Sequence, residues 1–258
     1  MKTTRTSGEL VEVSLGSPPG GRYRMGLVAL ATDQLSETDL RAMLPDDVAL
    51  FVSRVLNADE INAKTLSDIG TELTAGVERL LPGDDIQLIA YGCTSGTVVL
   101  GEHSVFNCIK KVRPNVFVTT PPTAVRAALR ALGASRINVI TPYHRDLHET
   151  VCDMVCKFGI EIVADCYFGL ERDSQIIRVE PKEILRTAIK IHKNNKADAL
   201  FISCTGLRSA EIAGLIEKEI NRPVVTSNQA MVWHALELMQ VTARRGGFGK
   251  LMALHTVA

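Results

Sequence analysis

The chain has no excess of either charge: Lys+Arg and Asp+Glu number 29 each, for a formal net charge of zero. A neutral chain lacks the electrostatic footprint that nucleic-acid binding leaves. Its small basic clusters, KKVR (110–113) and ARR (243–245), read as solvated helix faces. No apolar run approaches the roughly 18 residues of a membrane span. The opening MKTTRTSGELVEVSLGSPPGG has no apolar core of the signal-peptide kind. Residues 1–21 read instead as a polar, flexible tail. The expectation is a cytoplasmic protein that binds neither nucleic acid nor membrane. In that compartment its six cysteines (Cys93, Cys108, Cys152, Cys156, Cys166 and Cys204) stay free thiols.

What is present is ordinary globular material, 46 % apolar and 22 % charged, and 258 residues suffice for one large domain or two small ones. Short Val/Ile-rich runs alternate with helix-length segments. The strand candidates are MGLVAL (25–30), VALFVSRV (48–55), IQLIAY (86–91), NVFVTT (115–120), INVITP (137–142), IEIVADCY (160–167), DALFIS (198–203) and PVVTS (223–227). Continuous apolar runs of this kind suit strands covered on both faces. Between them lie amphipathic stretches such as TAVRAALRALG (123–133), with Gly133 as a helix stop, and SAEIAGLIEKEI (209–220). The alternation predicts an α/β fold with mostly parallel sheets.

The chain also resembles itself. RMGLVALATDQLSET (24–38) aligns without a gap on RINVITPYHRDLHET (136–150). YGCTSGT (91–97) has its counterpart in ISCTGLRS (202–209), and VTTPPTAVRAAL (118–129) aligns on VTSNQAMVWHAL (225–236). Three matches in the same order at nearly one offset predict two similar Rossmann-like lobes related by a pseudo-two-fold. Lobe 1 is expected to hold residues 22–118 plus 226–258, and lobe 2 residues 119–225.

Ligands of open α/β sheets bind beyond the carboxyl ends of the strands. Facing lobes would therefore set Cys93 and Cys204 on opposite walls of one cleft. Each Cys-Thr turn is expected to open a helix, whose free N–H groups attract anions and lower a thiol's pKa. Thr94, Ser95 and Thr205 would add hydroxyl donors for a small carboxylate, beside the small Gly206. Two facing thiols allow two reactions. One thiolate removes a proton from a carbon while the other thiol returns one to the opposite face, giving racemisation or epimerisation. Alternatively, one thiolate adds to an activated double bond and the other supplies a proton, giving cis–trans isomerisation. Neither route needs a cofactor or a metal. The competing reading is that both are buried cysteines acting as small hydrophobes.

With YGCTSGT, ITPY (140–143), FISCTGLRS and VVTSNQAMVWHAL, the chain resembles the Asp/Glu racemase superfamily, in the branch of maleate cis–trans isomerases and arylmalonate decarboxylases. LVALATD, GCTSGTVVLGE, SCTGLRS and SNQAMVWHAL together most resemble ectoine-utilisation proteins, and the likeness covers roughly residues 22–240. The resemblance implies two Rossmann-like lobes, a cleft between them, cofactor-independent chemistry and a homo-oligomer, a dimer being one form. It makes Cys93 and Cys204 the two catalytic cysteines and Tyr143 a substrate-binding tyrosine. Decarboxylases of the branch carry glycine at the first cysteine, so Cys93 argues for isomerisation. Two departures stand out: Asp33 where the family has a substrate-contacting asparagine, and Ser174, in RDSQ, as counterpart of another. A carboxylate at position 33 would repel a dianion such as maleate. The readings kept open are thus an isomerase of a small carboxylate, in ectoine or hydroxyectoine use; a decarboxylase using Cys204 alone; and a non-catalytic binding module.

Other candidates weigh less. His144, His148, Cys152 and Cys156 lie at four-residue steps, a conceivable metal stripe that reads better as straddling core and surface. No metal is expected. Cys108 and Cys166 read as core or near-core residues. Trp233 and His234 read as lobe packing, Asn228 and Gln229 as cleft-shaping or helix-capping residues. GGFG (246–249) follows no strand and is not read as a nucleotide loop.

Overall fold

All eight apolar runs form strands, with ends shifted by three residues at most. The computed structural model describes residue 8, residues 10–16 and residues 21–255. The expected tail, residues 1–21, lies largely outside the described residues; residues 10–16 form neither helix nor strand.

The first half runs β1 (Tyr23–Leu30), α1 (Ser36–Met43), β2 (Val48–Val55), α2 (Ala63–Glu78), β3 (Leu88–Tyr91), α3 (Thr94–Leu100), α4 (Glu102–Val112), β4 (Phe117–Thr119) and α5 (Pro121–Ala131). The second runs β5 (Arg136–Tyr143), α6 (Arg145–Lys157), β6 (Glu161–Leu170), α7 (Asp173–Ile176), α8 (Pro181–Asn194), β7 (Ala199–Ile202), a 3₁₀ turn (Ala210–Ile212), α9 (Ala213–Ile220), β8 (Val224–Thr226), α10 (Ser227–Leu238) and α11 (Gly249–Ala253). Two four-stranded sheets result, ordered β2-β1-β3-β4 and β6-β5-β7-β8, and every pairing is parallel. The second order repeats the first, as the internal likeness requires.

Burial explains why the strands were readable. All residues of β3, β7 and β8 are buried, because helices cover both faces. The edge strand β6 alternates between exposed and half-buried positions. Helix ends follow local chemistry. Thr120 accepts the Thr123 N–H at the start of α5, whose first residues are Pro121 and Pro122. Gly133 sits just beyond that helix with φ +64°, a conformation only glycine adopts freely. Thr226 and Gln229 cap α10 reciprocally.

The two halves are tied along one side. Glu60 and Arg172 form an antiparallel bridge, the Ile61 N–H donates to Glu171 O, and the Asp173 N–H donates to Asp59 O. This strap joins the loop after β2 to the loop after β6. Among the described residues, no helix is long and apolar enough to cross a membrane.

Candidate active site

Each cysteine follows its strand by two residues: β3 ends at Tyr91 before Cys93, and β7 ends at Ile202 before Cys204. Parallel pairing through β1 and β5 directs both carboxyl ends into a common cleft, open to solvent, with about 410 Å³ of empty space when its open mouth is counted. Cys93, Thr94, Ser95 and Asp33 line it from the first half; Tyr143, Cys204, Thr205 and Gly206 line it from the second. Eight of the nine residues expected from the sequence thus share one cleft. The ninth, Ser174, does not line it. Its N–H and hydroxyl are both bound to the Asp59 carboxylate, at 2.8 and 2.7 Å. The cleft is lined instead by its neighbour Asp173. The first turn of α7 points position 173 inward and 174 toward Asp59, a one-residue register that RDSQ alone does not reveal.

The two cysteines are not equivalent. Cys93 is the N-cap of α3, and its Sγ accepts the Gly96 N–H at 3.1 Å. Ser95 Oγ lies 3.7 Å from that sulfur. Cys204 opens no α-helix; the chain turns through residues 205–209 before the short 3₁₀ segment. Cys204 also has φ +94°, which non-glycine residues rarely adopt and which stores strain. The conformation is held in place: Ser227 Oγ accepts the Cys204 N–H at 3.0 Å, and the Gly206 N–H reaches Cys204 Sγ at 3.4 Å.

Two expectations about the thiols and their surroundings are corrected. Lowered thiol pKa values do not result, because both residues are almost fully buried. Burial pushes Cys93 from 9.0 up to about 11, outweighing its bonds from Gly96 and Ser95. Burial pushes Cys204 up to about 12, outweighing the Tyr143 hydroxyl beside it. The negative Asp173 carboxylate raises both further. In addition, the Thr94 and Thr205 hydroxyls are turned away from a ligand. Thr94 Oγ1 donates to Ser227 Oγ at 3.0 Å, and Thr205 Oγ1 donates to Gly92 O at 3.2 Å. They brace the two halves against each other. Ser95 and Tyr143 remain as side-chain hydroxyls facing the cleft. Tyr143 has no exposure to solvent, and its hydroxyl has no settled hydrogen-bond partner.

The acidic groups are fixed by short bonds. Asp33 Oδ1 accepts the N–H groups of Leu35 and Ser36, at 2.7 and 2.8 Å, and so starts α1. Asp173 Oδ2 accepts from Thr32 Oγ1 at 2.6 Å and Asn57 Nδ2 at 3.3 Å. Burial raises the Asp173 pKa against those bonds, helped by Asp59 and Asp33 nearby.

The remaining candidates fall outside the cleft lining. Asn228, 2 % exposed, donates to Thr205 O at 2.8 Å and to Asp39 at 2.9 Å, holding the turn after Cys204. Gln229 caps α10 and bonds Phe248 O. Trp233 Nε1 donates to Leu254 O, and His234 Nδ1 meets Thr119 Oγ1 at 2.8 Å, both packing contacts. His148 and Cys152 come together, though with Asp165 of β6 rather than with His144 and Cys156. His148 Nε2 lies 2.8 Å from Asp165 Oδ1 and 3.6 Å from Cys152 Sγ. These three hold the donor types a metal takes. As they stand, the ring bonds the carboxylate on one side and Thr141 Oγ1 on the other.

Comparison with known proteins follows the same lines. The sequence model of the arylmalonate decarboxylase family matches residues 41–252. The maleate isomerase of Alcaligenes faecalis is 22 % identical over 234 residues, covering 84 % of this chain and 90 % of that protein. The arylmalonate decarboxylase of Bordetella bronchiseptica is 27 % identical over 135 residues, covering 52 % of this chain and 56 % of that one. Among solved structures, a cysteine-to-serine mutant of the Nocardia farcinica maleate cis–trans isomerase, with a covalently bound succinylcysteine intermediate, superposes with a TM-score of 0.80. It is 20 % identical and covers 89 % of this chain and 98 % of that one, a likeness of fold.

Proposed function

The chain belongs to the arylmalonate decarboxylase family, and on that premise we propose that it is a cofactor-independent isomerase of a small carboxylate, with Cys93 and Cys204 as its acid/base pair. One observation carries the reading: two buried thiols from equivalent positions of two lobes line the same cleft. A structural cysteine pair has no need of that placement.

In the proton-exchange route, one thiolate takes the proton from the carbon beside the substrate carboxylate and becomes a thiol. The second thiol gives its proton to the opposite face and becomes the thiolate. No net proton is gained or lost, and the configuration inverts. The N-capping bond from Gly96 supports charge on Cys93, and Tyr143 supports charge on Cys204. In the addition route, which the succinylcysteine intermediate of the Nocardia farcinica relative illustrates for that protein, a thiolate bonds to one alkene carbon. The other thiol protonates the neighbouring carbon; rotation about the former double bond, return of a proton to that second cysteine and loss of the first thiolate then give the other isomer. A place in ectoine or hydroxyectoine use is the finer form of the proposal, supported by the sequence likeness.

Decarboxylation is the second reading, favoured by the family model and by the Bordetella bronchiseptica relative. One experiment separates the two. Small carboxylates, including ectoine, hydroxyectoine, maleate and phenylmalonate, are incubated in D₂O with the wild type and with Cys93→Ser, Cys204→Ser and Cys93→Gly proteins. The isomerase reading expects deuterium at a stereocentre, or maleate turned to fumarate, lost in all three variants. Loss of carbon dioxide from phenylmalonate that survives Cys93→Gly would make the decarboxylase reading the right one.

A further inference from the structure

The charge of the cleft bears on the substrate class, an inference that rests on the isomerase reading above. Two carboxylates line the cleft, Asp33 and Asp173, and among the described residues lining it none is Lys, Arg or His. The nearby arginines are engaged elsewhere. Arg54 donates to the backbone carbonyls of Leu30 and Asp33 and pairs with Glu37 at 3.5 Å. Arg208 pairs with Glu211 at 3.0 Å. Arg172 and Arg178 act electrostatically on Asp59, the strap carboxylate that holds Ser174. The bonds to Asp33 use Oδ1 and those to Asp173 use Oδ2, leaving the second oxygen of each for a ligand. An independent feature of the same cleft also points to a ligand: the hydroxyl of Tyr143, a residue with 0 % exposure, lies beside Cys204 but makes no hydrogen bond of normal geometry.

We propose that the cleft takes a zwitterion, a small molecule with one carboxylate and one ammonium or amidinium group, the cation seated against Asp33 and Asp173 and the carboxylate toward Ser95 and Tyr143. The cation answers two needs at once. It neutralises two carboxylates that form no ion pair among the described residues, Arg54 reaching only the Asp33 carbonyl. It also removes the repulsion that Asp173 exerts on either thiolate, whereas a dianion would add to it. A cationic nitrogen beside the reacting carbon further acidifies its C–H bond, which favours proton exchange over thiolate addition. Asp33 and Asp173 are then specificity-determining residues. The same two positions exclude the dianions that related proteins are named for.

Binding is measured by calorimetry on the full chain with four probes: ectoine (amidinium and carboxylate), proline (ammonium and carboxylate), cyclohexanecarboxylate (no cation) and maleate (dianion). The expected order in the wild type is that one of the zwitterions binds about tenfold or more tighter than cyclohexanecarboxylate or maleate. Asp173→Asn and Asp33→Asn, both near-isosteric and the latter able to keep the helix cap, should erase that preference and raise maleate affinity. Equal or tighter wild-type binding of maleate or cyclohexanecarboxylate overturns the proposal, whatever the variants do. So does a zwitterion preference left intact in both folded variants. The D₂O experiment reads the isomerase proposal separately. Exchange that depends on both cysteines without a zwitterion preference sinks only the charge argument. A zwitterion preference with no exchange on any substrate sinks only the isomerase reading.

Discussion

Gly96 tests whether the geometry around Cys93 is as tight as described. In an ordinary helix, replacing glycine by alanine gains roughly 1 kcal/mol, because the unfolded chain loses freedom. At position 96 a methyl group would lie 2.7 Å from Tyr91 Oη and 2.9 Å from Cys93 Sγ, closer than real side chains approach. Tyr91 is fully buried and fixed by its strand. Overpacking of a buried site costs about 1–3 kcal/mol, so the penalty equals or exceeds the helix gain. The cheapest relief is to swing the Cys93 sulfur off the Gly96 N–H, which removes the thiol from its place in the cleft. The Gly96→Ala protein should therefore lose stability, lose activity, or both. A loss of 1 kcal/mol lowers the melting temperature by about 2–4 °C in a chain of this size. Gly214 in α9 is the control, since the atom nearest its added methyl, Gly247 O, lies 3.4 Å away. The assays are thermal unfolding by circular dichroism and deuterium incorporation into substrate. A Gly96→Ala protein that melts higher than the wild type and exchanges protons at the wild-type rate would refute the packing argument.

Three further outcomes are expected. Because Cys204 has φ +94°, Cys204→Gly should be more stable than Cys204→Ala by about 1 kcal/mol, although both lose activity; chemical denaturation of the pair checks this, and the reverse order would count against strain at the site. Ser227→Ala leaves the buried Cys204 N–H without its partner and frees Thr94 Oγ1, so stability should fall by about 1–3 kcal/mol with a drop in activity, read by urea titration and substrate turnover. Burial lowers the His234 pKa from 6.5 to about 4. The unfolded chain thus takes up this proton first, and stability present above pH 6.5 is lost as the pH falls toward 4. That loss amounts to about 3 kcal/mol. His234→Gln should flatten this part of the stability–pH curve, and an unchanged slope in urea titrations at pH 4–7 would count against it.

The sheet strands were legible for a physical reason. Strands such as β3 and β7 are buried on both faces, so they read as unbroken apolar runs without regard to partners. The second copy then turned two commonplace Cys-Thr turns into a paired site. Legibility stopped where a side chain's direction depends on the opposite half. Thr94 and Thr205 look like substrate donors in sequence, but their protons go to Ser227 and to Gly92 O, each in the other half of the chain. Position 173 faces the cleft and 174 does not, because Asp59, 115 residues away from Ser174, holds Ser174. The positive φ of Cys204 leaves no trace in composition, since glycine would be the ordinary choice there. The expected low thiol pKa failed because a helix start acts locally, while desolvation reflects the whole closed cleft.

The strap between the halves makes access and electrostatics a single variable. Asp173 donates its N–H to Asp59 O and takes bonds from Thr32 and Asn57, so it serves as a latch while presenting its carboxylate to the cleft. Parting the loops at Asp59 and Asp173 would withdraw that charge from the thiols and admit water in the same movement. A guest that engages Asp173 therefore acts on the door as well as the seat. Thr32 and Asn57 hold that carboxylate through Oδ2, so substitutions at these two residues should alter a guest's residence time before they alter chemistry.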